Sequence, residues 1–437
     1  CVRDRITEVE REGEDLHAEG FAAGSREEER PIEGFVAEQL LHAVDVTERI
    51  EDRVGGRSGP QRVERVVEER GEIREELREE WGEEVSIEFV ELFSGARTSA
   101  YVWREFADVR LVWAPEETIG FFGGEVDNFE YPRYNLDAAL LRIWEGEAPL
   151  ESGPWFFELA EAGASEADAV FVVGNPGSTT RYQTLEQLAT RRDVVEPATL
   201  DFVADRATIL EEYSEAFPDE ARAAGIDDDI FSARNSVKAI EGQLAGFSDE
   251  DVRARLEARE RALVDLVADD SLEIAALEVA MGRAAAAQER KRALAREYRA
   301  FLGLTAAGYA SPTLHRGFLG FQILNLRSQG APVDYTADIM AELDSVESVP
   351  EVLDELLIEA RLDDYVEAFG TDERWLLTAL RGRTTEGAAA RIHATSIFTD
   401  SAGLSQGMQV GQVDANDPVL RLMNLFLPTF RAYHEGW

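Results

Sequence analysis

Cysteine is all but absent from the sequence. Cys1 stands alone among 437 residues, which excludes a disulfide framework within the chain. No apolar run approaches the roughly 18–20 residues that a membrane-spanning helix needs. There is no His-Glu-x-x-His, no cysteine pair and no acidic loop of calcium-binding spacing, so neither a metal nor another cofactor is expected. The turn Gly174-Asn175-Pro176-Gly177 is not followed by Gly-Lys-Ser/Thr and is therefore not a phosphate-binding loop. The chain begins at Cys1 rather than Met and shows no signal-peptide pattern, which reads as an excised or incomplete segment.

Lysine is scarce as well: Lys238 and Lys291 are the only two. Against 44 basic residues stand 88 acidic ones, a formal net charge of -44. That field repels a polyanion, so nucleic-acid partners are excluded. The carboxylates are dispersed rather than gathered in a tail. Dispersed acid with so little lysine suggests a surface adapted to high salt, where self-repulsion is screened; the plainer alternative is an ordinary acidic protein.

What is present falls into two compositional halves. Residues 1–190 carry strand signals: short apolar runs in Gly34–Val46, Val85–Phe93, Ala100–Trp113, Ala139–Trp144 and Ala169–Val173, separated by Gly-Gly, Gly-Pro and Asn-Pro-Gly turns. One amphipathic helix interrupts them over Gln61–Trp81, with Val63, Val66, Val67, Ile73 and Leu77 as its apolar stripe. Residues 191–437 read as mostly helix. Asp249–Phe301 is rich in Ala, Leu, Glu and Arg, and further helices are expected over Ala337–Leu343, Val349–Phe369, Asp372–Leu380 and Pro418–Leu427. Strands followed by helices imply a multi-domain α+β protein: a β domain over 1–190 and an all-α domain over 191–437.

The densest segment is Phe121–Asp137, FFGGEVDNFEYPRYNLD. Two glycines permit a tight turn, and an asparagine, aromatics and a proline follow within a few residues. Such a loop is costly unless packed or used for binding. It ends at Asp137, directly before an apolar run. A partly buried carboxylate at the mouth of a strand can orient a histidine and stabilise its charged form; an aspartate capping a turn is the other reading.

These residues resemble the signature of the bacterial dipeptidyl-peptidase 7 and 11 family of serine exopeptidases. The resemblance continues upstream in Phe106–Pro115, Gly20–Ala23 and Val44–Thr47, and downstream in Val173–Tyr182. It implies a chymotrypsin-like double β-barrel, incomplete here, with an inserted helical domain. It also implies release of dipeptides from free peptide N-termini, a homodimer, and a periplasmic or secreted location. Asp137 matches the family's triad aspartate. Asn128 matches the asparagine that holds the substrate's α-amine, and Phe129 stands where a tryptophan usually completes the amine pocket. Asn235, in Arg234-Asn235-Ser236, resembles a helical-domain asparagine that contacts the same amine; a solvent-facing helix residue is the alternative.

The family's histidine lies in an Asn-His-His-Cys stretch that Cys1 would end, and its Gly-Asn-Ser-Gly-Ser-Pro nucleophile motif does not occur in this sequence. The five histidines, His17, His42, His315, His393 and His434, match no catalytic position of the family. The resemblance therefore implies part of a peptidase that carries the orienting aspartate and the amine pocket but neither the histidine nor the serine, and that is inactive alone. A non-catalytic peptide-binding or scaffold protein that retains the fold is the alternative. Gly403-Leu404-Ser405-Gln406-Gly407 also fits the nucleophile elbow of α/β-hydrolases, with Asp414 and His434 in the expected order, but no strand–helix alternation surrounds it.

Overall fold

The computed structural model describes residues 21–32, 35–56, 60–93, 95–120, 128, 132–153, 157–158, 160, 162–171, 183–304, 310–328, 336–400, 404, 408, 413–414 and 416–436. The chain divides into two units. One comprises Cys1–Phe122 and Pro132–Tyr182; the other comprises Gly123–Tyr131 and Gln183–Trp437.

The first unit is built on two antiparallel sheets. Strands β1 (Phe21–Ala22) and β2 (Arg30–Pro31) both pair with β6 (Asp108–Ala114), which pairs with β7 (Leu140–Glu145) and through it with β8 (Ala148–Pro149). The second sheet has the order β3 (Ala37–Asp45), β5 (Arg97–Phe106), β4 (Ser86–Leu92). The aromatic-rich run that reads as one apolar segment in the sequence is thus two strands, β5 and β6, divided at Ala107 and placed in different sheets.

Helices α1 (Thr47–Val54) and α2 (Pro60–Trp81) pack on the three-stranded sheet through Ile50, Val54, Ile73 and Leu77 against Val85, Ala100 and Val102. A single-turn helix, α3 (Glu117–Gly120), follows β6. The expected stripe of α2 differs in one respect: Val67 is 64% exposed, and Glu69 takes a buried place on the helix. Its carboxylate lies 2.6 Å from Arg49 Nε and 3.3 Å from Arg53 Nε, so a charge is buried where both arginines of α1 can meet it.

Mixed helix and sheet is what the described residues show, but no closed barrel is among them: both sheets are open. Two of the reasons are local. Strands β1, β2 and β8 are only two residues long. The expected strand over Ala169–Val173 is not one in its described part: Ala169–Phe171 is coil with no ladder among the described residues, and Phe171 is 92% exposed.

The second unit is helical. Thr184 opens it with a capping box, accepting from the Gln187 backbone N–H while Gln187 accepts from its own. Helix α4 (Leu185–Thr190), a π-helical turn (Arg191–Val195) and α5 (Glu196–Ala216) follow, then α6 (Pro218–Ala223) and α7 (Ile226–Ser248). The stretch expected as one helix over Asp249–Phe301 is three: α8 (Glu250–Leu266), α9 (Ser271–Ala293) and α10 (Ala295–Phe301). The first break has a cause in Asp270, whose carboxylate accepts from Leu272 and Glu273 N–H at 2.8 and 3.2 Å and so starts a new helix.

Helices α11 (Pro312–Ser328), α12 (Ala337–Ser345), α13 (Glu351–Phe369), α14 (Arg374–Leu380), α15 (Thr385–Thr395) and α16 (Pro418–Gly436) enclose the largest core. Phe301 is its centre, with Tyr365, Phe369, Phe426, Phe430 and Tyr433 rings at centroid distances of 5.2–6.0 Å. Helix α16 runs past Leu427, where the sequence suggested its end, and carries Pro428 inside it. Among the described residues no helix is long and apolar enough to cross a membrane.

Candidate functional site

Asn128 groups with the helical unit, within Gly123–Tyr131, although the stretches before and after that segment belong to the sheet unit. It is buried, at 3% exposure. Its Nδ2 donates to Oδ1 of Asn235 on α7. That bond uses the donor side of the Asn128 amide and leaves Oδ1 as a buried acceptor with no hydrogen-bond partner among the described residues. An unsatisfied buried amide oxygen costs about 1–3 kcal/mol and is rarely left so without a reason.

The support beneath this pair is rigid. Helix α7 lies along α5, with Ala233 and Val237 packed against Phe202, Val203 and Ala207. One residue before Asn235, Arg234 reaches back to α5 and clasps Glu211, with Nε 2.7 Å from Oε1. The paired hydrogen bonds hold Glu211 below the usual carboxylate range and raise Arg234. The helix register is thereby fixed beside the asparagine that receives Asn128.

Asp137 stands in the sheet unit, in the coil that leads to β7. Its approach is set locally: Leu136 N–H donates to the Ile119 carbonyl at 2.6 Å. Gly120 makes this possible, because a Cβ there would meet Pro115 Cγ at 2.7 Å. The sequence suggested a partly buried carboxylate at the strand mouth; the structure places Asp137 exposed. The reason lies in the strand it precedes, whose first residue, Leu140, is itself 60% exposed, so this end of the sheet is open among the described residues. Phe129 and Ser405 lie outside the described residues. Leu404 and Met408, which flank Ser405, are helical and buried, and no strand precedes them among the described residues, so the strand-to-helix turn of a nucleophile elbow finds no support. Asp414 is exposed and accepts from Asn416, and His434 is exposed beside Phe430.

One group with cation-ligand geometry also emerges that the sequence did not signal. Glu351 and Glu355, one turn apart on α13, and His393 of α15 bring one ligand atom each within 4.8 Å of one another. His393 Nε2 lies 3.5 Å from the buried Asp354, which accepts from the Ser311 and Thr313 hydroxyls. An exposed and a half-buried glutamate around a half-buried histidine are equally well matched as an ion-pair network.

The sequence profile of the family described as Peptidase S46 matches residues 1–437. The chain belongs to the peptidase S46 family. Among curated members, this S46 chain is 33% identical to the Asp/Glu-specific dipeptidyl-peptidase of Shewanella putrefaciens over 35% of its own length and 22% of that protein's. It is 30% identical to dipeptidyl-peptidase 7 of Phocaeicola vulgatus over 40% of its own length and 26% of that protein's. Its fold is similar to that of Porphyromonas endodontalis DPP11 crystallised with the dipeptide Arg-Asp, with a TM-score of 0.73 at 17% identity over 99% of this chain and 64% of that one. The complex of the same protein with Arg-Glu gives a TM-score of 0.71 at 16% identity, over 96% of this chain and 63% of that one. The S46 chain thus spans less than two thirds of the length of the relatives it matches.

Proposed function

We propose that this chain is the part of a serine dipeptidyl-peptidase that recognises the substrate's free N-terminus and orients the catalytic histidine. The observation that carries the reading is the Asn128–Asn235 pair. A buried amide oxygen that lacks a donor among the described residues, fixed by a second amide, suits an ammonium N–H. Phe129 would add an aromatic face to the same cation. The relatives' names supply the chemistry: they are dipeptidyl-peptidases, and a mechanism that removes two residues must locate the amine that begins the peptide.

In this reading Asp137 accepts the Nδ1 proton of a histidine and stabilises the imidazolium formed when a serine attacks the scissile carbonyl. The histidine and the serine belong to the parts of the family's length that the chain does not span, as do the strands that would close the double barrel and cover Leu140 and Asp137. The chain by itself is then catalytically silent, and the parent enzyme acts on oligopeptides in the periplasm or outside the cell as a homodimer.

The test uses the parent protein and dipeptidyl substrates with free and acetylated N-termini. Asn128→Ala is expected to lower kcat/KM by about 10–100-fold, the worth of a hydrogen bond to a charged group, mostly through KM. Equal cleavage of the free and acetylated substrates, or an Asn128→Ala enzyme with unchanged KM, would overturn the reading. A peptide-binding protein without catalysis would bind the free N-terminus and release nothing.

A further inference from the structure

Two arginines of the helical core carry more positive charge than their surroundings neutralise. Arg206 of α5 and Arg361 of α13 are 2% and 3% exposed. Both approach the same carboxylate: Arg206 Nη2 lies 2.6 Å and Arg361 Nη1 3.3 Å from Asp364 Oδ2. Arg361 Nη1 also donates to the Ala300 carbonyl at 2.9 Å. Both guanidiniums lie over the ring of Phe202, at 4.6 and 5.1 Å from its centroid. The charged neighbours around Asp364 include Asp205 and Asp201, both exposed, and the half-buried Arg299.

The remaining valences are unmet. Arg206 Nε and Arg361 Nη2 are buried and have no hydrogen-bond partner among the described residues. Both side chains line one small, partly open cavity of about 10 Å³, whose other lining residues are Gly303, Leu304, Ala310, Ser311, Leu314, His315 and Leu357. Glycine at 303 is a condition of this arrangement, since a Cβ there would meet Arg361 Nη2 at 1.8 Å and the Phe202 ring at 2.5 Å. Burial draws the Arg361 guanidinium below its ordinary range, yet a guanidinium stays charged at neutral pH. Two cations on one carboxylate leave one buried positive charge, and a buried charge without a partner is strongly unfavourable.

We propose that this cavity binds a single monatomic anion, a halide, held between Arg206 Nε and Arg361 Nη2. A cavity of this size takes no more than one small particle, which a halide, somewhat larger than water, would fill completely, and it excludes phosphate, sulfate or a carboxylate ligand. A halide supplies the missing charge where water supplies none. The bound ion ties α5 to α13 through the two arginines and needs no part of the peptidase reaction.

Crystals of the full chain grown in bromide test the assignment by anomalous diffraction. The expected result is a bromide peak within hydrogen-bonding reach of both guanidinium nitrogens. In solution, replacing gluconate by chloride at constant ionic strength, over a hundredfold rise in chloride, is expected to raise Tm by about 3–5 °C. Arg361→Leu should abolish that dependence. A water at the position without anomalous signal, or a Tm indifferent to chloride in the unsubstituted protein, overturns the proposal even where Arg361→Leu does not fold.

Discussion

At the scale of single residues, burial gives ordinary side chains unusual tasks. Asp229 shows the energetic side of this. It lies in the first turn of α7 with Asp227 and Asp228, where a helix N-terminus favours negative charge. Burial, the neighbouring Asp228 and Glu347 nevertheless push its carboxyl up to about 6. A carboxyl raised in the folded state binds its proton more tightly than in the unfolded chain, where it titrates near 3.9. Its contribution is therefore most favourable below the unfolded value and is lost as pH rises through about 4 to 6. Asp229→Asn is expected to stabilise the protein by about 1–2 kcal/mol at pH 7 and to have little effect at pH 4, measured by urea unfolding at the two pH values.

Asp137 illustrates the catalytic side. If it orients the histidine of the parent enzyme, Asp137→Asn should lower kcat by about 10³–10⁴-fold while leaving the KM for free-N-terminal peptides near its original value. A drop confined to KM would mean that the residue serves binding instead. The candidate site residues were legible in the sequence through the motif they share, and Asn235 only as one of two readings. Their relation was not: the Asn128–Asn235 bond joins positions far apart in the chain, and no local pattern announces it. Arg206 and Arg361 were not legible at all. In a chain with 30% charged residues, two buried arginines look like any other pair on helix surfaces.

At the scale of elements, periodicity served the helices better than the strands. Helix α2 was readable because its apolar residues recur at helical spacing, whereas its buried Glu69 was hidden among other glutamates. Strand length and pairing were less readable, because a run such as Ala169–Phe171 is apolar enough for a strand but meets no partner among the described residues. Close approach between helices is set by small residues that carry no periodic signal. Gly317 and Gly320 of α11 are such residues: a Cβ at 317 would meet Val419 Cγ1 at 2.0 Å, and one at 320 would meet the Phe398 ring at 2.6 Å. Gly317→Ala is expected to cost about 1–3 kcal/mol through overpacking against α16, read as a lowered urea midpoint with an unchanged m-value. Arg316 on the same helix is fully buried and donates to the carbonyls of Val346, Phe398 and Thr399 and to the Ser348 hydroxyl, so the helix cannot shift to accommodate a methyl group without breaking those bonds.

At the scale of the whole molecule, the dominant quantity is charge. A formal net charge of -44 on 437 residues repels itself at low ionic strength. The Debye length falls from about 10 Å at 0.1 M salt to about 3 Å at 1 M, which removes most of that repulsion. Tm is therefore expected to rise between 0.1 and 1 M KCl, and circular dichroism against temperature measures it. A flat response would show that the acidic surface is balanced by its arginine pairs and would count against adaptation to high salt. Composition made this property visible without any structure, whereas the grouping of Gly123–Tyr131 with the helices was invisible to it.

That grouping has a consequence for synthesis in time. Asn128 leaves the ribosome 107 residues ahead of Asn235. At about 5–20 residues per second, its partner follows about 5–20 s later. During that interval β7 and β8 emerge and can pair with the strands made before them, while Asn128 still waits for its partner. A nascent chain halted before α7 therefore leaves the Asn128 amide without the Asn235 oxygen that receives it.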